Sequence, residues 1–572
     1  MKEKLVIYQV FTRLFGADSR HTVPWGSAQQ NGCGKMADFT QKALGEIRDL
    51  GCTHIWYTGI IEHATQADYT EFGIPTDHPA VVKGRAGSPY AIKDYYDIDP
   101  DLATQVPMRM KEFQNLLRRT HKAGLKAIID FVPNHVARQY HSDAKPDGVI
   151  DLGETDNRQV HFAPNNNFYY IPQQQLVPPQ RCTPQPVEAK NRKRFAAQYV
   201  EYPAKVTGND CFCATPSEND WYETVKLNYG VDYTNGHAQH FDPVPDTWVK
   251  MRDILLFWAD KGVDAFRCDM AEMVPCAFWG WALPQVKEQY PHVEFIAEVY
   301  NPNEYRNYIY NGHFDYLYDK VGLYDTLRAV VNGHSAAAIT HCWQSVDDIS
   351  DHMLNFLENH DEQRIASPFF AGNAEKGRPA LLISALMRTS PMMVYFGQEL
   401  GEPAADAEGF SGADGRTTIF DYWMVPTVSR WRNGGRFDGQ LLTETEKALR
   451  QYYTTVLRLC NAEKAIREGA FFDVMYANYD NAMMNTHRQY AFLRKSDNEL
   501  ILVVANFDDR GAHTSVRIPA HAFEYFDIPT TKSTYIAKDL LTDKAEEVTL
   551  EPDGMVALTL PPFGGKVLKI RF

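Results

Sequence analysis

The sequence predicts an α/β protein: a (β/α)8 barrel with an irregular insertion after its third strand and an antiparallel β-sandwich behind it. Three observations carry this. Short apolar runs alternate with amphipathic segments along most of the chain up to Ala462. One stretch, Ala137 to Val225, follows neither period. Beyond Ala462 the helical period stops and β-rich runs take over. The 572 residues exceed the roughly 250–300 at which one core stops growing, so several domains are expected. The expected bounds are 1–136 and 229–467 for the barrel, 137–228 for the insertion and 468–572 for the β domain.

The elements follow in order. Leu5 to Phe11 reads as the first strand; Tyr8, Gln9 and the lack of a small-residue cleavage site set it apart from a signal peptide. Ala37 to Leu50 is helical and stops at Gly51; His54 to Thr58 is a short buried strand. Val106 to Ala123 is amphipathic, ends at Gly124, and leads into the apolar strand Leu125 to Val132. Strands that alternate with helices pair in parallel through crossovers. The aperiodic stretch then includes Tyr169 to Pro186, with "PQQQLVPPQ" at its centre. A loop of that length in a compact protein is functional or forms a small domain of its own. The alternation resumes with helix Thr247 to Lys261 and strands Val263 to Cys268, Val293 to Ala297 and Phe314 to Leu317. Helix Val321 to Gln344 and strands His352 to Leu357 and Met392 to Phe396 complete a count of eight strands, the number of a closed barrel. After helix Thr443 to Ala462, the runs Tyr490 to Leu493, Glu499 to Asn506, Ser515 to Ile518 and Val556 to Leu560 make the β domain.

Composition narrows the function classes. The formal charge of −15 is opposite to that of a polyanion-binding surface, so nucleic acid is not expected as a partner. No stretch reaches the ~18 apolar residues of a membrane helix, and no membrane partner is expected. The nine cysteines are too sparse for a disulfide scaffold, and Cys211 and Cys213 are too close for a zinc CxxC pair. Reduced thiols and a cytoplasmic setting are the expectation.

Chemistry in such a barrel sits at the C-terminal ends of strands. Strand three ends in "DFVPNH" (130–135), strand four in "GVDAFRCD" (262–269), strand five in "FIAEV" (295–299) and strand seven in "LENHDEQR" (357–364). These ends bring Asp130, Asp269, Glu298 and Asp361 to one rim. Crowded like charges disfavour folding and persist mainly where chemistry needs them. Arg267 and Asp269, two apart on a strand, face one side. A cation beside a carboxylate lowers its pKa, so Asp269 is expected to stay ionised. By itself the pair reads more readily as structural.

The four segments, in this order, resemble the short motifs of the α-amylase family of glycoside hydrolases, and the resemblance spans essentially the whole chain. It implies a retaining hydrolase of α-1,4-linked glucans such as maltooligosaccharides, with Asp269 as nucleophile, Glu298 as acid/base and Asp361 as the group that strains the sugar. It implies substrate contacts from His135 and His360, and Arg267 orienting the nucleophile with support from Asp130. Tyr90, in "SPYAIKDYYDIDP", matches a tyrosine that stacks on the sugar, and reads as readily as a core residue. Arg364 reads either as a partner within the site or as a surface ion pair. "KLN" at Lys226 to Asn228 and "YFGQELG" at Tyr395 to Gly401 match softer family signatures. No cofactor is required for the chemistry. Asn134 matches a ligand of the family's structural calcium, but Glu272-Met273 stand where many members carry Lys-His, which puts that calcium in doubt and leaves the metal ligands unassigned. Transglycosylation and α-1,6 cleavage use the same residues and stay open. A non-catalytic glucan-binding protein on the same barrel would have lost one of the three carboxylates.

Overall fold

The computed structural model describes residues 3–19, 21–180 and 198–572. Eight parallel strands close into a barrel: β1 Val6–Phe11, β2 His54–Thr58, β3 Lys126–Phe131, β4 Ala265–Cys268, β5 Glu294–Ala297, β6 Tyr316–Tyr318, β7 Met353–Phe356 and β8 Met392–Tyr395. Each pairs with its sequence neighbour, and β1 closes on β8. Side chains alternate across each strand. Ile7, Trp56, Ile128, Ala265, Ile296, Leu354 and Met393 point inward and fill the lumen as a separate buried cluster. The outward set, including Phe266 and Cys268, packs beneath the surrounding helices in the main core.

The helices are set by ordinary signals. Thr40 caps Gln41–Asp49 through its side chain, and Thr443 with Glu446 makes a reciprocal capping box on Glu444–Ala462. The expected single helix 321–344 is four pieces: a π-turn Lys320–Tyr324, helix Asp325–Val331, a 3-10 turn Ala336–Ala338 and helix Ile339–Ser345. The break falls at Gly333, whose φ of 104° lies outside the helical region, and Ser335 caps the next turn.

The aperiodic stretch leaves the barrel after β3. His135–Ala137 pairs antiparallel with Thr224–Lys226, so its two ends are tied to each other. It holds its own small core, with Tyr169, Ile171, Leu176, Ala204 and Val206 buried. Part of the Gln- and Pro-rich run, 181–186, lies outside the described residues. Behind the barrel, β9 Ala470–Asp473, β10 Gln489–Ser496, β11 Glu499–Asn506, β12 Ala512–Ile518, β13 Ser533–Asp539, β14 Ala545–Leu550, β15 Gly554–Leu560 and β16 Gly564–Arg571 are antiparallel. They form a six-stranded sheet, β9-β10-β11-β16-β13-β14, and a two-stranded one, β12-β15. Among the described residues no helix is long and apolar enough to cross a membrane.

Candidate active site

The C-terminal rim of the barrel opens into a cleft of about 1050 Å³ lined by Tyr90, His135, Asp269, Glu298 and Asp361. Register explains the first contacts. Arg267 on β4 lies beside Asp130 on β3, both facing the lumen. The Arg267 guanidinium is fully buried and is the hub of the site. It is 2.6 Å from Asp269 Oδ1, 2.8 Å from Glu298 Oε2 and 3.5 Å from Asp130 Oδ1. The rings of Trp56, Tyr90 and Tyr318 surround it at 5.2–5.5 Å. Trp56 also donates to Asp130 through its indole N–H.

Glu298 accepts a backbone N–H from Met270 at 2.8 Å, and its other oxygen accepts from the Tyr300 hydroxyl. Met270 adopts a left-handed backbone, φ 45°, which aims that N–H at the carboxyl. Asp361 Oδ2 lies 2.9 Å from His360 Nε2, and Gln9 and the Tyr90 hydroxyl hold the same imidazole. Tyr90 is thus a buried residue that also lines the cleft. His135 Nε2 stands 4.0 Å from Asp269 Oδ2 and tilts against Trp221.

The electrostatics correct one expectation. The Asp269 carboxyl is pushed well above the ordinary carboxylate range, chiefly by burial, with the charge of Glu298 adding to it and Arg267 opposing. Arg267 lowers it, but not enough to offset burial and the neighbouring carboxylates. Burial also works against Asp361, but His360, Arg267 and Arg416 together hold its carboxyl below the usual range. Arg416, from the loop after β8, donates to the Asp361 carbonyl at 2.7 Å; sequence reasoning missed it, since that loop has no period to read. Tyr300 was missed for the same reason. Arg364 is fully buried and pairs with Glu358 at 3.0 Å and the Phe396 carbonyl at 2.9 Å. It is no surface ion pair, and it braces the β7 end without touching the three cleft carboxylates. Trp279 is fully buried and donates to the Ala271 carbonyl, so it supports the turn after β4 from outside.

The residues around Asn134 do not suit a divalent ion. Its side-chain oxygen accepts from the Lys226 ammonium at 3.0 Å, and Lys226 is 2.6 Å from Asp210. The Asn134 amide donates to the Gly208 carbonyl at 2.8 Å. A buried ammonium stands where a cation would be coordinated.

His135 is held down to about 3 by burial, with the Lys226 and Lys83 ammoniums adding to the effect. It is neutral in the folded protein, whereas an exposed histidine titrates near about 6.5. Below that pH the unfolded chain binds a proton that the folded chain refuses, so acidification removes stability at up to about 1.36 kcal/mol per pH unit. His135→Gln lacks this contribution. Urea unfolding should show the stability of the wild type, relative to the variant, falling by about 2 kcal/mol between pH 7 and 5. A difference independent of pH contradicts the neutral, buried assignment.

Carboxylates on the C-terminal rim of a closed parallel barrel suit a barrel glycoside hydrolase, a class that the sequence comparisons establish for this chain. The α-amylase catalytic-domain model matches residues 9–310 and the model of the α-amylase C-terminal all-β domain matches residues 479–571. The chain belongs to the α-amylase family. It is 23% identical over 446 residues to α-amylase 3 of Dictyoglomus thermophilum, covering 73% of this chain and 74% of that one. It is 22% identical over 529 residues to a cyclomaltodextrinase of a Bacillus species, covering 89% and 73%. The solved structure of a maltogenic α-amylase from Thermotoga neapolitana matches with a TM-score of 0.61 at 18% identity, over 100% of this chain and 99% of that one.

Proposed function

We propose that this enzyme hydrolyses α-1,4-glucosidic bonds in maltooligosaccharides or starch-derived glucans with retention of configuration. The observation that carries the reading is the sharing of Arg267 between Asp269 and Glu298, at 2.6 and 2.8 Å. Two carboxyls set side by side on one guanidinium fit the close spacing of retaining enzymes, about 5–5.5 Å, better than the wider gap that admits water in inverting ones. The printed names of the relatives, an α-amylase and a cyclomaltodextrinase, support an α-glucan substrate.

Asp269 Oδ1 is engaged by Arg267, which leaves Oδ2 to attack the anomeric carbon. Glu298, carrying the proton, gives it to the glycosidic oxygen as that C–O bond breaks. The leaving sugar departs as an alcohol and a β-glucosyl ester forms on Asp269. Glu298 then takes a proton from water, whose oxygen attacks the same carbon and releases Asp269. Two inversions restore the α configuration. Asp361, anionic between His360 and Arg416, binds sugar hydroxyls and favours the oxocarbenium-like transition state. Tyr90 and His135 line the sugar site, the buried His360 holds Asp361 from behind, and Asp130 and Arg364 support the rim. The Lys226 ammonium sits beside Asn134, and each of these steps uses only side chains of this chain.

Incubation with maltoheptaose followed by chromatography tests the reading. The wild type should yield shorter sugars, and Glu298→Gln should turn over about 10²–10⁴-fold more slowly. The loss in kcat/KM, which reports formation of the ester and not its hydrolysis, should be much smaller with α-glucosyl fluoride, whose leaving group needs no proton. An equal loss on both substrates removes the acid role from Glu298. Products longer than the substrate identify transglycosylation, and release of maltose from panose with maltoheptaose untouched moves the linkage to α-1,6.

A further inference from the structure

The strands Ile61–His63 and Ile92–Ile98 form a two-stranded antiparallel sheet in which Glu62 stands opposite Asp94. Like charges facing each other across such a pair are destabilising. The register shifts on both sides of Glu62, and bulges of this kind re-aim a side chain. Asp143, from the turn that follows His135–Ala137, closes the group. One oxygen from each of the three carboxylates lies within 4.8 Å of the other two.

The group is more than an acidic cluster. Glu62 is 1% exposed, and neither of its carboxylate oxygens has a hydrogen-bond partner. A buried carboxylate without a counter-charge is strongly disfavoured. The neighbouring cations are committed elsewhere. Lys93 pairs with Asp77 at 3.0 Å and donates to the Pro75 carbonyl, and Arg109 pairs with Asp97 at 2.5 Å. Among the described residues, none of the three carboxylates has an ion-pair partner. Asp94 is meanwhile held rigidly. It accepts from the Ser142 hydroxyl at 2.6 Å and from the Asp143 and Ala144 N–H groups at 2.9 and 3.1 Å.

We propose that Glu62, Asp94 and Asp143 bind one divalent, oxygen-preferring cation of the calcium class. The donors are all carboxylate oxygens, which suit a hard ion and not the softer transition metals. The exposed side of Asp143 leaves room for water to complete a shell of six to eight oxygens. The ion ties two segments that reach the cleft. The strand Ile92–Ile98 begins two residues after Tyr90, and the segment holding Asp143 continues from His135–Ala137. This site is separate from the Asn134–Lys226 contact and does not depend on the substrate reading.

The test uses the full chain, stripped with chelator and dialysed against calcium or, in a second arm, magnesium. Metal is counted by mass spectrometry and the melting temperature is followed. The expected result is one calcium per chain and a melting temperature raised by several degrees, with magnesium weaker. Asp143→Asn, at an exposed position, should weaken binding about tenfold or more and abolish most of the thermal shift. Glu62→Gln should do the same; if it does not fold, Asp143→Asn decides alone. A stripped wild type that binds neither ion overturns the proposal, as does binding by Asp143→Asn as tight as the wild type.

Discussion

Asp269→Asn should lower kcat on maltoheptaose by about five to six orders of magnitude, the scale of losing a covalent nucleophile. The amide keeps the shape of the side chain and its contact with Arg267, so the fold should hold and the melting temperature should stay near that of the wild type. What disappears is the oxygen that bonds to the anomeric carbon. A complementary variant, Asp269→Gly, leaves a gap on that face. With α-glucosyl fluoride, azide should enter the gap and displace fluoride directly, giving the β-glucosyl azide in a single inversion. Glu298→Gly with azide should instead give the α-azide, because the ester on Asp269 still forms first. The two anomers, told apart by NMR, assign the roles of the two carboxylates. An α-azide from Asp269→Gly, or wild-type turnover by Asp269→Asn, removes the nucleophile from this position.

Arg267→Met should cost about 3–5 kcal/mol of stability, the usual result of taking one partner from a buried ion pair. Three carboxylates lose their common cation, and the aromatic rings packed around the guanidinium lose its charge. Methionine fills much of the volume, so the loss reports charge more than cavity. The loss has a sign in pH. Carboxyls left without a cation take up protons more readily still, so acid relieves the variant more than the wild type. Urea unfolding should show the gap between the two narrowing from pH 8 to pH 5. A loss below about 1 kcal/mol, or a gap that widens in acid, contradicts Arg267 as the charge hub.

Much of this was legible in the residues. All eight barrel strands follow from short apolar runs between helical segments, because a parallel sheet covered on both faces demands such runs. The rim carboxylates followed from where those runs end. The alternation along Arg267-Cys268-Asp269 put the two charged groups on one side, where they lie 2.6 Å apart, while Cys268 packs in the outer core. Other features were not legible. The helical period of 321–344 concealed a break that Asn332-Gly333 and Ser335 signal locally. Arg416 and Tyr300 reach the cleft from loops, where position is set by tertiary packing and not by period. The raised Asp269 carboxyl depends on depth of burial and on how many acids share one guanidinium, neither of which spacing reveals. Lys226 beside Asn134 arises from the strand pair that closes the insertion, a contact 92 residues apart in sequence.

The central claim is a glucosyl ester on Asp269, and trapping it is the most direct test. The wild type would be incubated with 5-fluoro-α-D-glucosyl fluoride. Its fluoride leaves without acid help, and its ring fluorine slows breakdown of the ester. Intact-mass spectrometry followed by peptic mapping then locates the adduct. The account predicts one fluoroglucosyl group per chain, carried by the peptide containing Asp269 and absent from Asp269→Asn. No adduct under conditions where fluoride is released, or an adduct on Glu298 or Asp361, would contradict it.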